Sequence, residues 1–199
     1  RSMQAFDSTA FNLPNSHESQ RRYAYARRRL ARARRLLGDV PAEPRLLDVG
    51  CSRGDFVAAA ALLGYAAEGI EPAPHIAEAA RAAGRTVHTG LLEEQKFPAS
   101  QFDVVSLFEV IEHLRAPLPL LEECRRILRP GGILIISTGN TASWTARAMK
   151  ARWDYFQIEK DAGHISFFNP RSMALLAARA GFDVAALSTG RVRFTEKGN

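Results

Sequence analysis

Short apolar runs alternate with amphipathic stretches along most of this chain. RLLDV (Arg45–Val49), FDVVSLF (Phe102–Phe108) and ILIIST (Ile133–Thr138) are nearly continuous apolar runs, as expected of strands covered on both faces. AAEGIEP (Ala66–Pro72), TVHTG (Thr86–Gly90) and FDVAALS (Phe182–Ser188) predict three further strands. Between them, Asp55–Leu63, HIAEAARAAG (His75–Gly84) and LPLLEECRRIL (Leu118–Leu128) read as helices. Asn169-Pro170 starts another helix that runs to Gly181, with the proline at a tolerated first-turn position. The turn Arg129-Pro130-Gly131-Gly132 ends one helix and leads into a strand, and residues 140–168 read as irregular. Strand alternating with helix predicts an α/β fold: a Rossmann-like, doubly wound, mostly parallel sheet. Ligands in such sheets bind beyond the carboxyl ends of the strands.

Upstream, SQRRYAYARRRLARARRLL (Ser19–Leu37) predicts a helix, with Tyr23, Leu30 and Leu37 on one face and Gly38 as its stop. This organises the chain as an Arg-rich arm and helix over 1–40, then a ligand-binding domain over 41–199 with an aromatic lid at 140–168.

Charge changes the picture only when divided. The chain holds 27 Lys plus Arg against 21 Asp plus Glu, a net of +6. Residues 1–40 hold nine of the arginines and only Asp7, Glu18 and Asp39 as acids, so the rest of the chain is balanced. No apolar run approaches the roughly 20 residues of a membrane span, and no apolar signal-peptide core opens the sequence. Two cysteines make no disulfide framework, so a reducing cytoplasm is expected. Arg1-Ser2 reads as an expression remnant ahead of an initiator Met3.

The chemistry starts where β-type RLLDV meets a glycine loop, DVGCSRGD. Asp48, Gly50, Ser52 and Gly54 occupy alternate positions, whereas a G-x-G-x-x-G dinucleotide fingerprint read from Gly50 needs glycine at 52 and 55. Glycine permits close backbone approach to a ligand. The following helix N-terminus, with its free N–H groups, suits a carboxylate as well as a phosphate. Ser52 is tolerable there if its φ stays negative. Glu71, ending the second strand, is placed to accept both hydroxyls of a ribose.

The D-x-G-x-S-x-G spacing resembles class I S-adenosylmethionine-dependent methyltransferases, and so do TGLLEEQKFPASQFDVV (89–105), SLFEVIEHL (106–114), ILRPGGILII (127–136) and GHISFFNPRSMALLAARAGF (163–182). The resemblance implies S-adenosyl-L-methionine as cofactor and S-adenosyl-L-homocysteine as product. It implies cofactor contacts from Asp48, Gly50, Cys51, Ser52, Gly54, Glu71, Pro72, Leu91, Leu92, Phe108 and Glu109. Leu91 stands where many members carry an adenine-binding Asp, which leaves Leu92 to offer its backbone N–H and pack on the ring.

Glu109, Glu112 and His113 fall at i, i+3 and i+4, one face of a short helix. The block resembles that of ubiquinone-pathway O-methyltransferases, where E-x-x-E-H is associated with a divalent metal. A capping and ion-pairing cluster is preferred here to a metal site. His164 is a candidate general base for a hydroxyl acceptor, and His113 competes with it. Trp144, Trp153, Tyr155, Phe156, Phe167 and Phe168 make the lid aromatic, with Phe167 and Phe168 read as anchors to the core.

The leading expectation is therefore in-line methyl transfer to a small-molecule acceptor, most simply at a hydroxyl oxygen. A nucleic-acid methyltransferase using the basic arm is disfavoured, since FEVI (108–111) replaces the Asn/Asp-Pro-Pro-aromatic segment of base-flipping enzymes. A non-catalytic cofactor-binding module and a dinucleotide oxidoreductase are weaker readings. Contact of the arm with anionic lipid, and a monomer or homodimer, are further expectations. GRVRFTEKGN (190–199) reads as either a short seventh strand or a truncated end, and truncation would leave an exposed sheet edge.

Overall fold

The computed structural model describes residues 17–156 and 163–189. The elements are α1 (His17–Leu36), β1 (Arg45–Val49), α2 (Asp55–Leu62), β2 (Ala66–Glu71), α3 (Pro74–Ala82), β3 (Val87–Thr89), β4 (Phe102–Phe108), α4 (Pro117–Ile127), β5 (Leu128–Ser137), α5 (Trp144–Met149) and α6 (Pro170–Arg179). They divide into two compact units. The first comprises residues 1–108 and 122–137, the second residues 109–121 and 138–199.

The first unit holds the sheet, with strand order β3-β2-β1-β4-β5 and every pair parallel. The apolar runs explain the order of burial: Leu46, Leu47, Val104, Val105 and Leu107 are fully enclosed on the central strands. The arginine-rich helix belongs to this core. Leu30, Ala33 and Leu37 cluster with Leu46, Ala60, Tyr65 and Val104, and Ala26 is equally buried. Its apolar face is built from Ala26, Leu30, Ala33 and Leu37. Leu30 and Leu37 lie on it as the seven-residue spacing suggests, while Tyr23 is only half-buried.

Two expectations for the sheet do not hold. FDVAALS forms no strand: residues 182–189 are non-repetitive and nearly all exposed. Its alternation of apolar and small residues is real, but the described chain pairs it with nothing. Nor is Arg129–Gly132 a free turn. α4 stops at Ile127, and the four residues lie inside β5, where β4 advances from Phe102 to Val104 while β5 advances from Leu128 to Ile133. The surplus bulges outward. Gly131 takes φ +76° there, and a Cβ on Gly132 would lie 2.9 Å from the Arg129 carbonyl oxygen. The segment 190–199, expected as strand or truncated end, lies outside the described residues.

The second unit is mostly short turns around α5 and α6. The span 140–168, expected to be irregular, contains α5 and two single-turn helices at Lys150–Arg152 and Asp154–Phe156. Ser143 caps α5 by accepting from the Ala146 N–H. Asn169 caps α6 reciprocally with Ser172, satisfying backbone donors on both sides, as the Asn-Pro start requires. A parallel bridge joins Asn140 to Phe168. Phe168 is buried as an anchor should be, whereas Phe167 is 37 % exposed.

Candidate active site

In the first unit, the loop after β1 is shaped by alternating backbone conformations. Gly50, Ser52 and Gly54 all have positive φ, of 72°, 50° and 73°. The expectation of a negative φ at Ser52 is thus wrong. A serine occupies the left-handed region, at a cost glycine would avoid, because its N–H must point at Glu71. Glu71 Oε2 accepts from Ser52 N at 2.9 Å, and Glu71 Oε1 accepts from Ala73 N at 3.0 Å. The turn is further tied by the N–H groups of Gly50 and Cys51, which both donate to the Ile70 carbonyl, at 2.8 and 2.9 Å.

Asp48 plays a different part from the one the motif suggests. Its carboxyl lies opposite Ser106 in the β1–β4 register and accepts the Ser106 hydroxyl at 2.6 Å. Burial pushes its pKa up to about 7, against the pull of the Ser106 bond. The carboxylate holding a loop N–H is Glu71. The sequence signal for Ser106 is a hydroxyl that interrupts the apolar run of β4.

Two close approaches make glycine necessary around the loop. A Cβ on Gly69 would lie 2.5 Å from Cys51 Sγ, and one on Gly54 would lie 2.9 Å from Cδ of Arg85. Burial, then the charges of Asp48 and Glu71, push the Cys51 thiol up to about 12, so it packs and does not react. α2 starts at Asp55 with Gly54 as an N-cap that offers no side-chain hydrogen bond, so its first N–H groups have no side-chain cap. Asp55 in that first turn is paired with Arg22 and Arg85.

Beyond the loop, Pro72 precedes α3 and is exposed. Leu91 is 47 % exposed, with its N–H donated to Glu94 Oε2 at 2.7 Å. Leu92 is buried. Phe108 makes edge contacts with Tyr25 and Phe56. The donor set fits a nucleoside carrying an amino acid. A carboxylate accepts about four hydrogen bonds, so Glu71 keeps room for two ribose hydroxyls beside its two backbone N–H partners.

The second unit gathers a separate polar cluster. The single-turn helix Ile111–His113 carries Glu112 and His113 but not Glu109, which sits before it at φ +53°. The expectation of Glu109, Glu112 and His113 on one helical face therefore fails. Glu112 instead points into the unit, fully buried. Tyr155 O–H donates to Glu112 Oε1 at 3.3 Å. The Tyr155 oxygen accepts from Gly139 N at 3.0 Å, and Thr138 Oγ1 lies 2.9 Å away. Gly139 is needed because a Cβ there would collide with the Tyr155 ring. Burial pushes Tyr155 up to about 12, so it stays a neutral phenol. Oε2 of Glu112 has no hydrogen-bond partner among the described residues.

His164 joins this cluster from 51 residues along the chain. Its ring lies 4.8 Å from the His113 ring and 4.3 Å from the Tyr155 ring, centroid to centroid. Nδ1 of His164 lies 3.0 Å from the Tyr155 carbonyl oxygen. A carbonyl only accepts, so Nδ1 donates this hydrogen bond, and in the neutral ring Nε2 is the nitrogen with the free lone pair. Side-chain ligand atoms of Glu112, His113 and His164 all lie within 4.8 Å of one another. Trp153 stacks on Tyr155, and Phe156 packs edge-on against Trp153 and Phe167. Trp144 is 67 % exposed. The sequence marks Tyr155 only as a lid aromatic; its hydroxyl network carries no sequence signal.

Among known proteins, the family described as methyltransferase domain matches residues 17–187. A ubiquinone biosynthesis O-methyltransferase of Cereibacter sphaeroides is 33 % identical over 148 residues, which cover 70 % of this chain and 60 % of that protein. One from Xanthomonas axonopodis is 30 % identical over 158 residues, 74 % of this chain and 66 % of the relative. This chain thus spans about 60 % of the length of the first of these relatives. Among solved structures, a methyltransferase from Thermotoga maritima superposes with TM-score 0.58 at 25 % identity, covering 83 % of this chain and 76 % of that one. One from Archaeoglobus fulgidus superposes with TM-score 0.66 at 19 % identity, covering 89 % and 73 %, a likeness of fold. Both are described as dependent on S-adenosylmethionine.

Proposed function

This chain belongs to the methyltransferase domain family, with the class I S-adenosylmethionine-dependent fold, and on that premise we propose that it methylates a hydroxyl oxygen of a small organic acceptor. The observation that carries the hydroxyl assignment is the Nδ1 hydrogen bond of His164 to the Tyr155 carbonyl, which leaves Nε2 as the ring nitrogen able to take a proton, in a side chain grouped with Glu112 and His113. The similarity to ubiquinone biosynthesis O-methyltransferases supports the same reading.

In the first unit, Glu71 would hold the ribose hydroxyls, the Gly50–Gly54 loop would let the cofactor approach the backbone closely, and the α2 N-terminus would take its carboxylate. Leu92 and Pro72 would flank the cofactor's adenine. The cofactor, when bound, supplies an activated methyl group on a sulfonium. In the second unit, His164 Nε2 removes the acceptor's hydroxyl proton, and the resulting imidazolium is stabilised by the Glu112 carboxylate. Tyr155 orients that carboxylate and does not itself exchange a proton at neutral pH. His113 is exposed and is the lesser base.

A second reading has one specific observation in its favour. Glu112 Oε2 is buried and has no partner among the described residues, and with His113 and His164 it offers three ligand atoms of a kind that hold Mg²⁺ or Zn²⁺. The present spread of up to 4.8 Å is wider than the ~3 Å between neighbouring ligands of such ions, so the base reading is preferred.

The test is methyl transfer from labelled S-adenosylmethionine across phenols, catechols, aliphatic alcohols and amines, before and after dialysis against a chelator. Turnover on a hydroxyl acceptor that survives chelation and is lost in His164→Ala supports the proposal. Turnover confined to amines overturns the hydroxyl assignment. Loss on chelation with recovery on adding Mg²⁺ or Zn²⁺ replaces the base with an ion.

A further inference from the structure

The chain's excess positive charge has a defined geometry. α1 buries Ala26, Leu30 and Ala33, and Leu37 continues the same face through its N–H to the Ala33 carbonyl. At 3.6 residues per turn, Arg21, Arg28, Arg32 and Arg35 fall within about 60° of one another, roughly 160° from that buried face. They form a stripe roughly 21 Å long at 1.5 Å per residue. All four are exposed, and none has an ion pair or hydrogen bond among the described residues. Elsewhere on the helix Arg22 is engaged by Asp55, and Arg29 lies 3.4 Å over the Tyr25 ring. No acid occurs between Glu18 and Asp39. Among the described residues, the charge of this face is therefore not neutralised internally.

What flanks the stripe narrows the partner. The other outward residues are Ala24, Tyr25, Ala31 and Leu36, with Tyr25 39 % and Leu36 42 % exposed. Between Arg21 and Leu37 the helix has no Asn, Gln, Ser or Thr, so apart from arginine it lacks the side chains that most often read base edges. A straight row of guanidinium groups bordered by apolar side chains matches an anionic lipid surface, where phosphates lie above glycerol and acyl groups.

We propose that the solvent face of α1, through Arg21, Arg28, Arg32 and Arg35, docks this protein on the surface of a membrane rich in anionic phospholipid. The helix lies along that surface with its opposite side fixed in the sheet unit's core. No described helix is long and apolar enough to cross a membrane. The proposal is independent of the acceptor chemistry above.

The experiment is co-sedimentation of the full chain with vesicles of phosphatidylcholine alone, and with vesicles containing phosphatidylglycerol at about one part in three. Tight, salt-sensitive binding to the second and none to the first is expected, weakened about tenfold or more when all four arginines become Gln. S-adenosylhomocysteine binding and the melting temperature of that variant verify its fold. If it fails to fold, the Arg28→Gln/Arg32→Gln pair serves, with a smaller loss expected. Equal binding to both vesicle types, or none to either, overturns the proposal. So does tighter binding of labelled duplex DNA or single-stranded RNA that depends on the same arginines, since that would make the partner a nucleic acid.

Discussion

The cofactor loop of the first unit and the polar cluster of the second are built by opposite strategies. The loop is a backbone device, in which three positive-φ residues alternate and two peptide N–H groups meet one carboxylate. The cluster is a side-chain device, in which Glu112, His113, Thr138, Tyr155 and His164 converge from four separate stretches. A backbone device is written in consecutive residues, because glycine and turn requirements are local. A side-chain device depends on how distant stretches pack.

The contrast can be broken most forcefully at His164. His164→Ala is expected to lower kcat by about 10²–10⁴-fold, the usual weight of general base catalysis, with S-adenosylhomocysteine affinity unchanged by calorimetry. A parallel loss of cofactor affinity would show that the two regions do not divide the work. Tyr155→Phe removes only the O–H that orients Glu112, and kcat should fall less, by about tenfold, without a new base appearing in the pH–rate profile.

Asp48 tests the buried part of the loop. Its folded pKa of about 7 lies above the ordinary 3.8, so the folded state holds the proton more tightly. Stability from this group is fully present below pH 3.8 and is lost as pH rises through 7, by up to about 4 kcal/mol. Asp48→Asn should remove that component, so the difference in melting temperature between variant and parent should grow as pH rises from 5 to 8. A constant difference would place the Asp48 pKa near its ordinary value.

Glu71→Gln keeps size but loses the charge that accepts two backbone N–H groups. Cofactor affinity should fall by about 10–100-fold, from charged hydrogen bonds worth about 1.5–3 kcal/mol, while the His164-dependent limb of the pH profile stays in place. The smallest effect is expected at Gly54. Gly54→Ala strains a φ of +73° and presses on the flexible stem of Arg85, costing about 1–2 kcal/mol of stability by chemical denaturation. Cofactor binding should weaken less than in Glu71→Gln.

Much of this molecule was legible in one dimension. β4 runs over Phe102–Phe108 as its apolar run dictates, and α6 starts at the Asn169-Pro170 cap. The glycine spacing by itself separates a methyl-donor loop from a dinucleotide loop. Ser52 misled because its side chain argues for ordinary φ, while Glu71, nineteen residues away, needs its N–H. Glu109 misled because helical spacing presumes a helix, and the chain instead turns through a left-handed residue there. FDVAALS misled because a strand needs a partner as well as a pattern, and none pairs with it among the described residues.

By itself, the sequence determined the alternation of strand and helix, the class of loop after β1 and the concentration of arginine on one helix. Periodicity, glycine placement and charge are properties of neighbouring residues. Only the tertiary structure decided that Asp48 pairs with Ser106 while Glu71 holds the loop, that α1 buries its alanine–leucine face in the sheet unit, and that Tyr155 and His164 close on Glu112. The packing of α1 depends on which apolar faces meet, and the polar pairings depend on which buried polar atom finds a partner, since burial makes an unpaired one expensive. The choice of partner is therefore a property of the packed chain.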